Sequence, residues 1–259
     1  MHSIESPVPT YPGAEIAAVT AAQMAEVDRS AIEDFGVTLP QMMELAGSHL
    51  AEVVRLEIGG GLSGRSVVVA VGAGNNGGGG LVAARHLINR GAAVRVVLAS
   101  PALRMTEAAS HQLATLIAMG AECCVATYDL SDDALREVLA RADVVVDAVL
   151  GYRMHDAPRG EAERLIGFVV GAGRPVVSLD LPSGLDPDTG SAPGVAITAQ
   201  ATLTLALPKT GLLTSDGAAR IGRLYLGDLG LPRGVYASIG FAVGYPFSRG
   251  RIVLLEQHS

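Results

Sequence analysis

Two aspartates and a pair of asparagines stand just beyond runs of valine and leucine, and that placement bounds the chemistry open to this chain. Asp147 follows Val144-Val145-Val146 and opens Asp147-Ala148-Val149-Leu150-Gly151. Asp180 follows Val176-Val177-Ser178-Leu179 and opens Asp180-Leu181-Pro182-Ser183-Gly184. Asn75 and Asn76 lie inside the glycine-rich stretch Gly72–Gly80, which follows Ser66–Val71. A carboxylate held at a strand tip can move protons, and Pro182 keeps Leu181 extended, which stiffens the turn after Asp180. A purely structural turn is the other reading of that segment. A buried carboxylate is costly unless it is paired or bound to a cation, so Asp147 reads as a ligand, a loop cap or a catalytic acid. The glycine stretch offers five backbone amides at a helix start with no side chains in the way, an anion cradle suited to a phosphate-bearing metabolite. A tight turn for close helix–strand packing is the plainer alternative.

Familiar templates fit poorly. Gly72, Gly74 and Gly77 spell G-x-G-x-x-G, yet no Asp or Glu occurs between Leu81 and Thr106 to hold a ribose hydroxyl. No Lys-Ser/Thr follows the glycines, which removes a P-loop. There is no G-x-S-x-G elbow, no H-E-x-x-H and no Cys/His cluster with metal spacing. His49, His86 and His111 fall on predicted helices, whereas His155 lies in the loop after Asp147.

The elements around these segments alternate. Thr20-Ala21-Ala22-Gln23 reads as a capping box for a helix running to about Phe35 and stopping at Gly36. A second helix runs from near Pro40 to about Glu57, and Gly59–Gly64 is a loop. Strand Ser66–Val71, helix Leu81–Arg90, strand Val94–Leu98 and helix Leu103–Met119 follow. Strand Glu122–Ala126, a Ser131-capped helix to about Arg141, strand Val144–Val146, helix Glu161–Val170 and strand Pro175–Leu179 continue the pattern. Thr202–Leu207 and Leu224–Leu226 complete it. Unbroken Val/Leu strands are buried on both faces, and the βαβ alternation predicts an α/β fold: a three-layer αβα sandwich with a doubly wound, mostly parallel, Rossmann-like sheet. Ligands of such sheets bind beyond the carboxyl ends of the strands, so all three segments converge on one crevice. We read residues 1–259 as a single domain, with 1–18 a flexible or surface-draped arm and 235–259 an edge extension.

Composition narrows the partners. With 49% hydrophobic and 17% charged residues the chain can bury a large core and is neither disordered nor a coiled coil. A net charge of −7 without any Lys/Arg run argues against nucleic acid. Lys209 is the sole lysine among 19 basic residues, an imbalance we read as coding bias. Cys123 and Cys124 are adjacent and would point to opposite faces of a strand, which suits neither a disulfide nor a metal clip and fits a reducing cytoplasm. Met1–Glu15 lacks the basic start and apolar core of a signal peptide, and no apolar run reaches the roughly 18 residues of a membrane span.

Several stretches together resemble the NAD(P)H-hydrate epimerases of the YjeF amino-terminal-domain type. They are Val19-Thr20-Ala21-Ala22-Gln23-Met24, Gly74-Asn75-Asn76-Gly77-Gly78, Asp147–Gly151, Ser178–Gly184 and Leu207-Pro208-Lys209-Thr210-Gly211, in that order, between Val19 and Pro232. Enzymes of that family interconvert the R and S forms of hydrated NADH and NADPH for a partner dehydratase, which is often fused and for which this chain is too short. The resemblance implies that Asp180 is the acid–base carboxylate. It implies that Asn76, Asp147 and Ser183 hold a potassium ion, a hard cation that suits oxygen donors. It also implies that Asn75, Asn76, Gly77, Gly78 and Gly79, with Gly151, Tyr152, Arg153, Met154, His155, Asp156 and Ala157, wall the hydrated nucleotide, here a substrate and not a cofactor. A homodimer formed through the early helices is expected on the same grounds.

Three departures fall on the expected pocket: Gly79 stands where the family has Asp, Leu45 where it has Asn, and Tyr152-Arg153-Met154-His155 where it has a small glycine-containing turn. They keep two further readings open: the scaffold repurposed as an isomerase, cyclase or hydro-lyase on another metabolite, and a non-catalytic binding scaffold.

Overall fold

The computed structural model describes residues 8–237, 239–240 and 246–256. Nine strands form one sheet in the order β1-β9-β8-β7-β6-β5-β2-β3-β4. They are β1 (Thr10–Pro12), β2 (Ser66–Val71), β3 (Ala93–Leu98), β4 (Glu122–Val125), β5 (Val144–Ala148), β6 (Val176–Leu179), β7 (Ala201–Leu205), β8 (Arg223–Gly227) and β9 (Ile252–Glu256). β2 through β8 pair in parallel; β9 runs antiparallel to β8 and β1 pairs parallel to β9. The helices are α1 (Ala21–Arg29), α2 (Leu39–Glu57), α3 (Asn75–Asn89), α4 (Glu107–Ala118), α5 (Asp132–Ala140), α6 (Gly160–Ala172), α7 (Ser215–Ile221) and α8 (Arg233–Ala237).

The valine runs explain the layering. In β2, Val67, Val69 and Val71 pack with Leu50, Val54, Leu81 and Leu87 of α2 and α3, whereas Val68 and Ala70 pack with Leu135, Leu139, Leu165 and Ile166 of α5 and α6. A strand buried on both faces needs apolar side chains at every position, which this one supplies. A third cluster joins Val19, Met24 and Val27 near α1 to Leu207, Leu224, Leu226 and Tyr236. Strand order reverses between β3–β2 and β5–β6, so the crevice opens beyond the carboxyl ends of β2 and β5.

The sequence reading and the structure differ in three places. Thr10–Pro12 of the expected arm is a sheet edge strand, held by backbone pairing to Leu254, Leu255 and Glu256. The expected carboxy-terminal edge extension contributes β9, which lies inside that edge; residues 238, 241–245 and 257–259 of it are outside the described residues. The glycine stretch is not a loop up to Leu81, because α3 begins at Asn75. Glycine costs helix stability, about 1 kcal/mol relative to Ala, so a propensity reading starts this helix too late. Close approach explains the glycines. A Cβ on Gly77 would stand 2.0 Å from Gly72 O, and one on Gly80 would stand 2.4 Å from Ala148 Cβ. The expected capping box of Thr20 with Gln23 forms, and at the start of α2 Thr38 N–H donates to Gln41 Oε1 at 2.8 Å. Cys123 and Cys124 face opposite layers of edge strand β4 and are half-buried and free.

Candidate active site

Two left-handed turns at neighbouring strand tips build the centre of the crevice. Asp180 has φ +71° and Ala206 has φ +60°, the positive-φ non-glycine residues among those described. Each is the middle of a three-residue turn, closed by Leu181 N–H to Leu179 O at 2.9 Å and by Leu207 N–H to Leu205 O at 2.7 Å. Such turns are strained and persist where the surroundings fix them. Here Asp180 N–H donates to Leu203 O at 2.7 Å and Ala206 N–H to Gly227 O at 3.0 Å, so each tip is pinned to the next strand. The first turn lifts the Asp180 carboxyl off the sheet end; the second returns the chain so that Lys209 points back at it.

Among the described residues Lys209 is the largest fully buried side chain, and its ammonium ion-pairs with Asp180 Oδ1. It also donates to Leu205 O at 3.2 Å and Thr204 Oγ1 at 3.4 Å, and lies 5.7 Å from the centre of the Tyr152 ring. Tyr152 N–H donates to Asp180 Oδ2 at 2.9 Å. Both carboxylate oxygens are therefore held, yet Asp180 and Lys209 line an open cleft of about 710 Å³.

Asp147 lies beneath that floor, fully buried. Its oxygens accept four hydrogen bonds: from Ser178 Oγ at 2.8 Å, Ser183 N at 2.8 Å, Ser183 Oγ at 2.6 Å and Val149 N at 3.3 Å. Burial raises its pKa above the ordinary aspartate value, against the lowering effect of those donors. Of the sequence alternatives, the cap is thus observed and direct contact with the cleft is not. Leu150 N–H donates to Ser183 Oγ at 2.9 Å, and Asn76 Nδ2 donates to Leu150 O at 2.8 Å and Leu179 O at 3.4 Å. Asn76, Asp147 and Ser183 thus share one small oxygen-rich cluster, with two backbone carbonyls beside them.

Of the expected pocket walls, Asn75, Asn76, Gly79, Gly151, Tyr152, Arg153, Met154, His155 and Asp156 face the cleft. Gly77, Gly78 and Ala157 do not. Gly77 and Gly78 are packing positions, since a Cβ on them would meet Gly72 O at 2.0 Å and Met43 Cε at 2.6 Å. Ala157 packs on Gly194 instead. Leu45 also lies off the cleft, packing toward Gly230. The cradle is smaller than five amides: Asn75, Asn76 and Gly77 are the first-turn donors, while Gly78 N–H already closes a helical bond to Gly74 O at 3.2 Å. His155 Nδ1 stands 3.6 Å from Asp186 Oδ2.

The arrangement has the parts of proton chemistry on a neutral or anionic small molecule: a fixed carboxylate with a buried ammonium behind it, and helix-start amides along one wall. A family model described as YjeF-related protein N-terminus matches residues 39–211. The chain belongs to this family. Among its relatives, the NAD(P)H-hydrate epimerase of Dehalogenimonas lykanthroporepellens is 40% identical over 248 residues, covering 95% of this chain and 96% of that one. The bifunctional NAD(P)H-hydrate repair enzyme Nnr of Moorella thermoacetica is 37% identical over 223 residues, 86% of this chain and 42% of the longer protein. The crystal structure of yeast ynu0, YNL200c, superposes with a TM-score of 0.77 at 27% identity, covering 93% of this chain and all of that one. Within this YjeF-type frame, sequence reasoning missed two charged side chains that face the cleft, Lys209 and Asp28. Lys209 had a signal, being the sole lysine and part of the Leu-Pro-Lys-Thr-Gly stretch.

Proposed function

We propose that this chain is an NAD(P)H-hydrate epimerase, an isomerase in which Asp180 moves a proton at the hydroxyl-bearing C6 of hydrated NADH or NADPH. What carries the reading is a 40% identical epimerase aligned across nearly all of both chains, together with the buried Asp180–Lys209 pair that lines the cleft. In this reading the ammonium of Lys209 keeps Asp180 oriented and compensates its charge, and Tyr152 N–H fixes the second oxygen. The first-turn amides of α3 hold phosphate oxygens.

Asn76, Asp147 and Ser183, with Leu150 O and Leu179 O, would hold the potassium ion. The donor set fits. All are oxygen donors once the Asn76 amide is turned, and Asp147 has four neutral donors but no countercharge among them. A monovalent cation held there would supply that countercharge at the strand tips on which Asp180 sits. Replacing potassium by N-methylglucamine at constant ionic strength is expected to lower the melting temperature of the wild type but not of Asp147→Asn. An equal response in both removes the ion from this cluster.

The same reading carries a homodimer and a cytoplasmic setting. Ile32 and Phe35, just after α1, stay 42% and 46% exposed, which supports self-association there; a monomer mass by light scattering would count against it. No helix among the described residues is long and apolar enough to cross a membrane. The longer relatives named bifunctional support a separate dehydratase as the partner.

The deciding assay supplies mixed R and S hydrates with a dehydratase that consumes one form. Addition of this chain is expected to take consumption from half to completion. If the unconsumed half stays at its uncatalysed rate, the proposal fails.

A further inference from the structure

Asp28 occupies the last turn of α1 and lines the same cleft as Asp180. Tyr152 joins the two carboxyls end to end. Its backbone N–H donates to Asp180 Oδ2 at 2.9 Å, and its hydroxyl donates to Asp28 Oδ2 at 2.6 Å. Arg153 Nε donates to the same phenol oxygen at 3.2 Å, with its guanidinium 3.7 Å from Asp28 Oδ2. Among the described residues no hydrogen bond reaches Asp28 Oδ1, and the side chain stays 24% exposed, so that oxygen is free to meet a ligand.

The two carboxyls differ in company. Asp180 meets an ammonium, Asp28 a phenol. Burial raises the Asp28 carboxyl above its ordinary pKa, against the Tyr152 hydrogen bond and the charges of Lys209 and Arg153. A carboxyl paired with an ammonium beside one paired with a phenol, on one cleft, is an arrangement that can divide base and acid duties.

We propose that Asp28 is the second proton-transfer residue of this site and serves the face of the substrate carbon opposite Asp180. This rests on the hydrate-epimerase reading above. Inverting the C6 hydroxyl requires chemistry on both faces of a flat ring, because the hydroxyl leaves from one and is restored on the other. Because the carboxyls are bonded to opposite ends of Tyr152, a ring entering edge-on against it would lie between them. Two van der Waals contacts of roughly 3.5 Å need a gap of about 7 Å, the scale of a tyrosine side chain. Carboxyl pairs flanking a carbon at such a separation leave room for a water on one side.

In the forward direction the acid form of Asp28 gives its proton to the C6 hydroxyl. The C6–O bond breaks, the ring nitrogen lone pair forms N=C6, and water leaves. A second water forms a C6–O bond on the other face, the N=C6 π pair returns to nitrogen, and the Asp180 carboxylate accepts the surplus proton. One proton has moved from Asp28 to Asp180 and one solvent oxygen has entered. The reverse epimerisation runs the same steps backward, and Lys209 steadies Asp180 in its charged form.

The test follows each epimer in H₂¹⁸O. Wild type should incorporate ¹⁸O at C6 in step with epimerisation. Asp28→Asn should lose epimerisation by about 10²-fold or more yet still exchange ¹⁸O into one epimer, and Asp180→Asn should retain exchange in the other epimer only. Near-UV circular dichroism and a melting temperature equal to wild type in Asp28→Asn separate a proton role from general disorder of the loop. Wild-type epimerisation without ¹⁸O uptake overturns the inference, as does an unimpaired Asp28→Asn or parallel loss of both exchanges in either Asn variant. Absence of wild-type epimerisation overturns the hydrate reading itself, and this inference with it.

Discussion

Replacing Lys209 by Met is expected to abolish measurable turnover and to cost about 3–5 kcal/mol of stability, the scale for stripping one partner from a buried ion pair. The Lys209 and Asp180 side chains are only 1% and 6% exposed, and the variant leaves Asp180 with the single donor Tyr152 N–H. Leu205 O and Thr204 Oγ1 lose a donor as well. The double variant Lys209→Met/Asp180→Asn removes the orphaned charge and should regain much of the lost stability, since the two residues are directly coupled. It should regain no activity. Chemical denaturation of the single and double variants reads the coupling. Additive losses would mean that the pair does not hold this site together.

The second large effect is steric. Gly77→Ala should destabilise by about 3 kcal/mol or more, because its Cβ would stand 2.0 Å from Gly72 O and 2.9 Å from Gly72 C, both backbone atoms that cannot swing away. In a domain of this size that is a melting-temperature loss of roughly 6–12 °C. Gly167→Ala is the control. It lies inside α6 with nothing within 4 Å of the added carbon, so the same substitution should stabilise by about 1 kcal/mol. Opposite signs for one chemical change locate the effect in the α3–β2 contact. Equal shifts would place it in helix propensity alone.

The hydrophobic pattern carried the sheet. Each Val-rich run became a central strand, and strand polarity alone brought Asp147, Asp180 and the asparagines to one edge. Local pattern could not carry features set by distant backbone. The Gly77–Gly80 helix turn exists because Gly72 O and Ala148 crowd it, and nothing within those residues says so. Lys209 joins Asp180 across 29 residues through two left-handed turns at residues that are not glycine, which no turn signal announces. Asp28 sits on an amphipathic helix, where a charged residue reads as a solvated face until Tyr152 is seen to bury it. The Thr10–Pro12 strand is three residues long with a proline, and only its partner β9 makes it a strand.

The Gly79 and Leu45 departures now separate. Leu45 packs away from the cleft, so it bears on the fold of α2 against the Leu229–Leu231 segment. Gly79 faces the cleft, and a Cβ there would come within 2.7 Å of Leu179 Cδ2, the end of a flexible side chain. Any side chain there has to displace that leucine methyl.

In the proposed reaction Asp180 is the proton-transfer carboxylate, held in position by Lys209 and Tyr152. The initial rate of R-to-S interconversion of hydrated NADH by Asp180→Asn, on protein confirmed as folded by its near-UV circular dichroism, tests this most directly. A fall of about 10²–10⁴-fold from wild type, with substrate still bound, is the expected result. A rate equal to wild type would contradict it.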